Sequence, residues 1–134
     1  MGKSATENRK SATEIRTILK MVKMESISFE DWKKTEIRVG RILEAEKIPK
    51  TKKLYMLQID IGREKPVQIV TSLVPYYTEE ELKNQKIIVL MNLKPSKFGG
   101  EISEGMLLCA EKDDGSECVL LTVQKDIETG TLIK

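Results

Sequence analysis

The segment that connects two apolar runs of this chain reads Asn92-Leu93-Lys94-Pro95-Ser96-Lys97-Phe98-Gly99-Gly100-Glu101-Ile102-Ser103-Glu104-Gly105-Met106. The runs, Ile87–Met91 and Met106–Ala110, each have the length and composition of a buried strand. Pro95 has no N–H to donate and would stop strand pairing, and the three glycines permit tight or positive-φ backbone. We therefore predict a long, shaped loop between two strands. Such a loop fills no core, which indicates a function of its own.

Length and composition indicate a single soluble domain with an appended tail. The 134 residues allow one modest core, and with aromatics at 4% that core must consist mainly of Ile, Leu, Val and Met. No apolar run approaches the roughly 20 residues of a membrane span, and the N-terminus lacks the apolar region of a signal peptide. Two cysteines without secretory features favour a reducing compartment. We expect a cytoplasmic protein that does not enter a membrane.

The chain contains no histidine, which removes the commonest general base and the commonest metal ligand. Neither cysteine lies in a CxxC motif, and no nucleophilic triad is visible. We therefore predict no catalytic residues, no metal and no cofactor, and expect that the protein is not an enzyme.

Residues 1–26 resemble an arm attached to a domain that spans 27–134. Ser11 with Glu14 fits a capping box. Apolar residues then follow at helical spacing, which predicts an amphipathic helix over about 12–25. This segment would be a surface helix or a frayed tail, would cover the domain, or would contact a partner. The arm has six Lys/Arg and three Glu, a net charge of +3, so the body carries −1 of the total of +2. Any anion that the body binds must be held by a local patch.

The body alternates apolar and polar residues in a way that predicts an all-β fold. Predicted strands span Glu36–Glu46, Leu54–Ile61, Val67–Leu73, Lys86–Met91 and Met106–Glu111, and Cys118–Val123 pairs back after a turn. Thr78, followed by three glutamates, predicts a short helix between the third and fourth strands. This order is typical of an OB-fold, a five-stranded barrel that binds oligonucleotides over its sheet face and through its 1–2 and 4–5 loops.

Three local patterns refine this picture. Gly40, inside the first strand, predicts a bulge or sharp bend. Phe29 and Trp32 lie three apart after a capping Ser28, and we expect them to pack on the domain. A turn near Asp114-Gly115 would place Cys109 and Cys118 opposite or diagonal to each other. Two reduced thiols are favoured there over a disulfide.

Lysines concentrate in the two loops that an OB-fold uses for binding. The first loop, Lys47–Lys53, has four lysines and no acid, and the second contains Lys94 and Lys97. The acids gather in other segments, around 79–81 and 111–117. This segregation favours an RNA-backbone site over a solvated loop without function.

Several motifs, taken in order, resemble the tRNA-binding domain family that is attached to methionyl-tRNA synthetases. They are Ile37-Arg38-Val39-Gly40, Lys53-Leu54-Tyr55, Asp60-Ile61-Gly62, Gln68-Ile69-Val70, Asn92-Leu93-Lys94-Pro95-x-Lys97 and Ser103-x-Gly105-Met106-Leu107-Leu108. The same domain occurs in free structure-specific tRNA-binding proteins and in the endothelial-monocyte-activating polypeptide. Over residues 27–134 the sequence looks most similar to a free-standing β subunit of methionyl-tRNA synthetase.

The resemblance implies contacts with tRNA at named positions. Those near the second loop are Asn92, Lys94, Lys97, Ser103 and Met106, and neighbouring ones are Arg38 and Lys53, to which the basic first loop adds Lys50 and Lys52. Lysines hold phosphates, Asn and Ser bond sugars or base edges, and Met lies against an unstacked base. Three alternatives remain open: a core role for Met106, an ion pair between Arg38 and an acid across the sheet, and a loop cap for Asn92.

Taken together, we expect a non-catalytic module that binds tRNA by shape and backbone and assists the methionyl-tRNA synthetase catalytic subunit. The alternative is a peptide-binding chaperone of the same fold, like the export-associated relatives, which the basic loops disfavour. Free-standing members of the family pair, and Thr122–Lys134 carries apolar residues without an obvious core strand. We therefore also expect a homodimer.

Overall fold

The computed structural model describes residues 11–16 and 24–134, which fall into two units, the first ending at residue 32 and the second spanning 33–134. In the first unit residues 12–16 are helical, and Ser11 Oγ accepts a bond of 3.0 Å from the Glu14 N–H, as a helix cap does. Residues 24–28 have no regular structure, so the predicted helix ends before 24. The rest of its apolar stripe, within 17–23, lies outside the described residues.

The first unit ends with a short helix, α1 (Phe29–Trp32). Ser28 Oγ caps it by accepting a bond of 3.0 Å from the Asp31 N–H, as predicted. Phe29 is 69% exposed.

The second unit is an antiparallel barrel, which confirms the all-β OB-type prediction. The strands are β1 (Ile37–Lys47), β2 (Tyr55–Asp60), β3 (Val67–Thr71), β4 (Lys86–Leu90), β5 (Ser96–Phe98), β6 (Glu101–Ser103), β7 (Met106–Leu107), β8 (Cys109–Glu111) and β9 (Cys118–Leu120). Five of them form the main sheet in the order β3-β2-β1-β4-β7, and β5–β6 and β8–β9 are separate hairpins. No helix within 11–16 and 24–134 has the length and apolar character needed to cross a membrane.

The long strand β1 is shared between two neighbours. Its first half pairs with β4, in register Gly40↔Ile87, and its second half pairs with β2. The register shift lies between Ile42 and Glu44, not at Gly40 where we predicted the bulge. A Cβ on Gly40 would come within 2.8 Å of Ile59 Cγ2, so Gly40 allows close packing of β1 on its neighbours.

The barrel interior is aliphatic, as composition predicted. Its fully buried side chains are Val39, Ile42, Tyr55, Leu57, Ile59, Ile61, Ile69, Leu73, Leu82, Ile87 and Val89. The single aromatic, Tyr55, satisfies its hydroxyl by donating to the Tyr77 carbonyl at 2.7 Å. The predicted helix is α2 (Glu79–Leu82), where Thr78 and Glu81 form a complete capping box and Leu82 is buried.

Side chains as well as backbone close the barrel between β3 and the segment 102–105. Val70 N–H donates to Ser103 Oγ at 3.0 Å, and Gln68 N–H donates to Glu104 Oε1 at 2.9 Å. Glu104 N–H returns a bond of 2.7 Å to the Gln68 carbonyl. This seam fixes the base of the β5–β6 hairpin to the barrel.

Two features of the 92–111 region differ from the predicted loop and fifth strand. The loop contains a hairpin, in which β5 begins directly after Pro95 and Gly99-Gly100 form a turn with φ of 57° and 84°. Both values suit a two-residue I′ turn. The fifth strand is broken at Leu108, whose N–H donates to Ile88 while its carbonyl accepts from Leu121. Leu108 thereby links the barrel to the β8–β9 hairpin.

The C-terminal segment follows β1 instead of projecting from the barrel. Leu132 forms a bridge with Arg38, and Ile133 N–H donates to the Ile37 carbonyl at 2.7 Å. The segment crosses the Ile61-Gly62 turn closely, because a Cβ on Gly130 would lie 2.7 Å from the Ile61 carbonyl oxygen. The backbone of residues 130–133 therefore has a strand partner that the sequence did not reveal.

Candidate nucleic-acid interface

An open groove of about 470 Å³ lies between the β5–β6 hairpin, the end of β3 and the β7–β8 segment. Its lining includes Ser72, Leu93, Lys94, Phe98, Met106 and Glu111. The lining is thus mixed, with one basic side chain, Lys94, and one acidic side chain, Glu111, among mostly apolar ones. A groove with this lining can hold a flat apolar group and place an anionic substituent near Lys94.

Alternation along β5 sends neighbouring side chains to opposite faces of the hairpin. Ser96 and Phe98 line the groove, and so does Ser103, the cross-strand partner of Ser96. Lys97, paired with Ile102, therefore projects from the other face. The two lysines predicted to act together consequently differ in position: Lys94 lies in the groove and Lys97 lies outside it.

Lys94 and Met106 are both open to solvent in the groove. Lys94 is exposed and makes no ion pair with any residue of the described ranges. Met106 is 45% exposed, so the alternative that it is a core residue is wrong. Both side chains are available to a ligand.

The basic loop between β1 and β2 lies beside the hairpin. Ile48 N–H donates to the Leu54 carbonyl at 3.1 Å and closes the loop, and Lys50 adopts a left-handed φ of 69°. A Cβ on Gly99, at the hairpin turn, would come within 3.0 Å of Thr51 Cγ2. The structure therefore brings together the two loops, with the exposed Lys50, Lys52 and Lys53 next to the hairpin turn.

Asn92 has a structural role at the start of β1. Its Oδ1 accepts from the Glu36 N–H at 2.8 Å, and its Nδ2 donates to the Lys34 carbonyl. The oxygen and the nitrogen of the side-chain amide therefore both bond to the backbone, at residues that lie 56 and 58 positions earlier in the sequence. The alternative that Asn92 caps its own loop is therefore wrong: its side chain instead connects the end of β4 to the start of β1.

Ser103 is buried, with 4% of its surface exposed. Its hydroxyl accepts from Val70 N–H and donates to the Gly105 carbonyl, each at 3.0 Å. A serine hydroxyl has one proton to donate, and this one is already used. The geometry assigns Ser103 to the barrel seam, and we do not keep it among the proposed RNA contacts.

Arg38 lies apart from the groove, in a second recess that Gly62, Arg63 and Gly130 also line. Its Nε donates to Glu36 Oε2 at 2.6 Å and its Nη1 to the Gly130 carbonyl at 2.7 Å. Arg63 reaches the same carboxylate oxygen at 2.5 Å. The bond from Arg38 and the charges of both arginines lower the pKa of Glu36, against a smaller opposing effect of burial. Arg38 therefore forms an ion pair, as the alternative expected, but its partner Glu36 lies two residues earlier in the chain and not across the sheet.

Phe98 is the groove residue that we did not single out from the sequence. It is 49% exposed and faces the groove beside Lys94. The available signal was an aromatic within the 4–5 loop of an aromatic-poor chain. Without the hairpin register, however, its direction could not be assigned.

Two thiols complete the wall of the groove. Cys109 pairs with Leu120 and Glu111 pairs with Cys118, so the cysteines are diagonal across the β8–β9 hairpin as predicted, and both are free. Burial, with a smaller contribution from the neighbouring thiol, raises the pKa of Cys109 to about 12. Across residues 11–16 and 24–134 no cluster of three or more His, Cys, Asp or Glu side chains is suited to hold a metal ion.

Comparison with known proteins places this barrel in a family. A family model described as a putative tRNA binding domain matches residues 37–132, and the chain belongs to that family. The methionine–tRNA ligase of Methanocaldococcus jannaschii is 46% identical over 134 residues, which cover 100% of this chain and 20% of that protein. The chain thus spans about a fifth of the length of this curated relative.

Two solved structures share the fold. A MetRS-related protein from Pyrococcus horikoshii has a TM-score of 0.76 and 38% identity, and the match covers 83% of this chain and 100% of that one. The chaperone CsaA from Bacillus anthracis has a TM-score of 0.74 and 28% identity, with 82% of this chain and 100% of that one covered.

Proposed function

We propose that this chain is a non-catalytic module that binds tRNA through its phosphate backbone and shape. The observation that carries the proposal is the close approach of Gly99 to Thr51: a Cβ on Gly99 would lie 3.0 Å from Thr51 Cγ2, so the lysines of the basic first loop lie beside the hairpin. The body of the chain has a net charge of −1, so these lysines are a local patch and do not reflect a basic composition. Phosphate contacts from Lys side chains supply sequence-independent affinity of this kind.

The proposed partner is the methionyl-tRNA synthetase catalytic subunit. The domain forms part of a methionine–tRNA ligase in the curated relative, of which it makes up a fifth. A module that holds tRNA next to a catalytic domain raises the effective concentration of the substrate there. In this proposal the chain works in the cytoplasm and contributes binding while the synthetase contributes chemistry.

A second candidate function is peptide binding, as in a chaperone. It is favoured by the CsaA structure and by three exposed apolar side chains in the groove, Leu93, Phe98 and Met106. The lysines on the hairpin and the neighbouring loop favour an anionic ligand instead, because an apolar peptide gains little from them. We therefore rank tRNA first.

A filter-binding salt titration with tRNA tests the first candidate. Lys94→Ala with Lys97→Ala should weaken binding. It should also make the slope of log affinity against log salt shallower by about 1.5, since each lost phosphate contact removes roughly 0.7 to 0.9 from that slope. Lys94→Ala alone should account for about half of this change. Different tRNAs should respond alike, because phosphate contacts do not read sequence.

The control variant is Glu79→Ala with Glu80→Ala, which alters exposed charge on α2 without touching the Thr78–Glu81 capping box. It should not weaken binding. If the lysine double variant retains the affinity and slope of the parent protein, the proposed site is wrong.

We also propose that the chain forms a homodimer through its C-terminal segment. Ile127 and Leu132 remain 44% and 38% exposed, although the backbone of 130–133 is paired with β1. A two-fold interface would bury both and place two RNA sites in one particle. Light scattering at micromolar concentration should give the dimer mass, and Ile127→Asp with Leu132→Asp should give the monomer mass. A monomeric parent protein would refute the proposal.

A further inference from the structure

We infer that the groove holds one unpaired nucleobase of the RNA, stacked on Phe98 and flanked by Met106, with its phosphate at Lys94. The inference rests on the RNA binding proposed above and narrows its ligand. It identifies the ligand at this point as a nucleotide from a loop, bulge or strand end, and not as the backbone of a duplex.

The aromatic inventory of residues 33–134 makes Phe98 distinctive. The other three aromatics are tyrosines whose hydroxyls are engaged inside the fold: Tyr55 donates to Tyr77, Tyr76 to Gly115, and Tyr77 accepts from Leu120. Phe98 is the only exposed aromatic among residues 33–134, at 49%. Its side chain has no polar atom that would favour exposure to water, so stacking of a flat apolar ligand on the ring would be favourable.

The hairpin presents this ring in a fixed place. The Gly99-Gly100 turn sets the register, the Ser96↔Ser103 pair orients β5, and the seam to β3 holds the base of the hairpin. Phe98 therefore starts from a defined position, and binding does not have to order a loose loop. Such preorganisation lowers the entropic cost of holding a ligand.

The chemistry of the groove matches a nucleotide. Its volume of about 470 Å³ lies within the roughly 300–1,000 Å³ that small-molecule sites occupy. Lys94 supplies positive charge for a phosphate. The Glu111 carboxylate also lines the groove, where it repels phosphate but can accept a hydrogen bond from a base amino group. These charges favour a base within the groove and its phosphate at Lys94.

A paired nucleotide cannot make this contact. Bases in the interior of an RNA duplex are stacked on both faces, and the deep major groove shields their edges, so protein aromatics stack on bases that are unpaired and splayed out. Loss of a stacking aromatic typically costs about 5- to 150-fold in affinity per base. An effect of that size should appear only with RNA that offers an unpaired base.

The test compares binding of a stem-loop RNA and of a blunt duplex with the same stem. Phe98→Ala should weaken binding of the stem-loop roughly 5- to 150-fold and leave the salt slope unchanged, because no phosphate contact is lost. Binding of the duplex should change less than about twofold. Phe98→Tyr should restore stem-loop binding, and Phe98→Leu should not restore it fully, because leucine keeps the apolar character without the ring.

The matched control is Ile102→Ala on the opposite face of the same hairpin, where the side chain is 52% exposed. It should bind both RNAs as the parent protein does. Equal losses for Ile102→Ala and Phe98→Ala would indicate damage to the hairpin and would overturn the inference. So would a Phe98→Leu protein that binds the stem-loop normally.

The remaining outcomes separate the proposals. If Lys94→Ala weakens RNA binding while Phe98→Ala does not, the stacking site is wrong and the proposed function stands. If the parent protein binds neither RNA nor tRNA, both fail. If an apolar peptide binds the parent protein and Phe98→Ala abolishes that binding without affecting RNA, the groove is a peptide site and the inference is overturned.

Discussion

Ser103 Oγ accepts a hydrogen bond of 3.0 Å from the backbone N–H of Val70, 33 positions earlier in the sequence. The same hydroxyl donates to the carbonyl of Gly105. One small side chain thus joins β3 to the segment that carries the β5–β6 hairpin. Stability of the barrel and placement of the proposed RNA site therefore depend on a common contact.

Ser103→Ala should lower the free energy of unfolding by about 1–3 kcal/mol, because it leaves the buried Val70 N–H and the partly buried Gly105 carbonyl without that partner. Urea denaturation measures the change. It should also reduce tRNA affinity with an unchanged salt slope, since it displaces the hairpin without removing a phosphate contact. Ser96→Ala, the exposed cross-strand neighbour, should stay within about 0.5 kcal/mol of the parent protein. A stable Ser103→Ala protein would show that the seam does not need this hydroxyl.

Gly105→Ala should destabilise the barrel by about 1–3 kcal/mol, because the new Cβ would lie 2.6 Å from the backbone oxygen of Leu90. That oxygen belongs to β4 and cannot rotate away as a side chain would. Gly100→Asn is the comparison: nothing lies within 4 Å of a Cβ there, and Asn tolerates its φ of 84°. Thermal unfolding should rank Gly105→Ala clearly below Gly100→Asn. The reverse order would contradict the packing argument.

The strands of the main barrel were predictable from local patterns. In β2, Tyr55, Leu57 and Ile59 are buried and alternate with partly exposed residues, which is the pattern read directly from the sequence. The capping box at Thr78 is likewise local, because its two partners are three residues apart. Where neighbours in sequence determine the structure, the sequence sufficed.

The site was less predictable because it depends on contacts between distant residues. The register of β5 and β6 decides that Phe98 enters the groove and Lys97 does not, and the three residues of β5 are all exposed, so they give no burial pattern from which to derive it. Asn92 and Ser103 were assigned to RNA by resemblance, yet their partners across 56 and 33 positions give them structural roles. The concentration of exposed lysines in two loops could be predicted, since charge segregation is visible without knowledge of the fold.

The pH dependence of stability should include a contribution from Glu36. Its hydrogen bond from Arg38, together with the Arg63 charge, lowers its pKa below the ordinary value of 4.5. The carboxylate therefore stabilises the fold above pH 4.5, and this contribution is lost as the pH falls through the lower folded pKa. Between pH 7 and pH 3 the parent protein should lose more unfolding free energy than Glu36→Gln does. Glu46→Gln, an exposed control, should lose as much unfolding free energy as the parent protein. Equal losses in all three proteins would show that Glu36 does not contribute to the pH dependence.

Cys109 should react slowly with iodoacetamide in the folded protein. Its pKa of about 12, against an ordinary 9.0, leaves roughly a thousandfold less thiolate near pH 8, and the thiolate is the nucleophile. Because burial is the largest cause, Cys118→Ser should leave Cys109 slow, although it removes the neighbouring thiol. Alkylation followed by mass spectrometry, with and without urea, measures both rates. Unfolding should accelerate the reaction by orders of magnitude. A Cys109 that reacts as fast in the native protein as in urea would show that its thiol is open to solvent and that the wall of the groove is not packed as described.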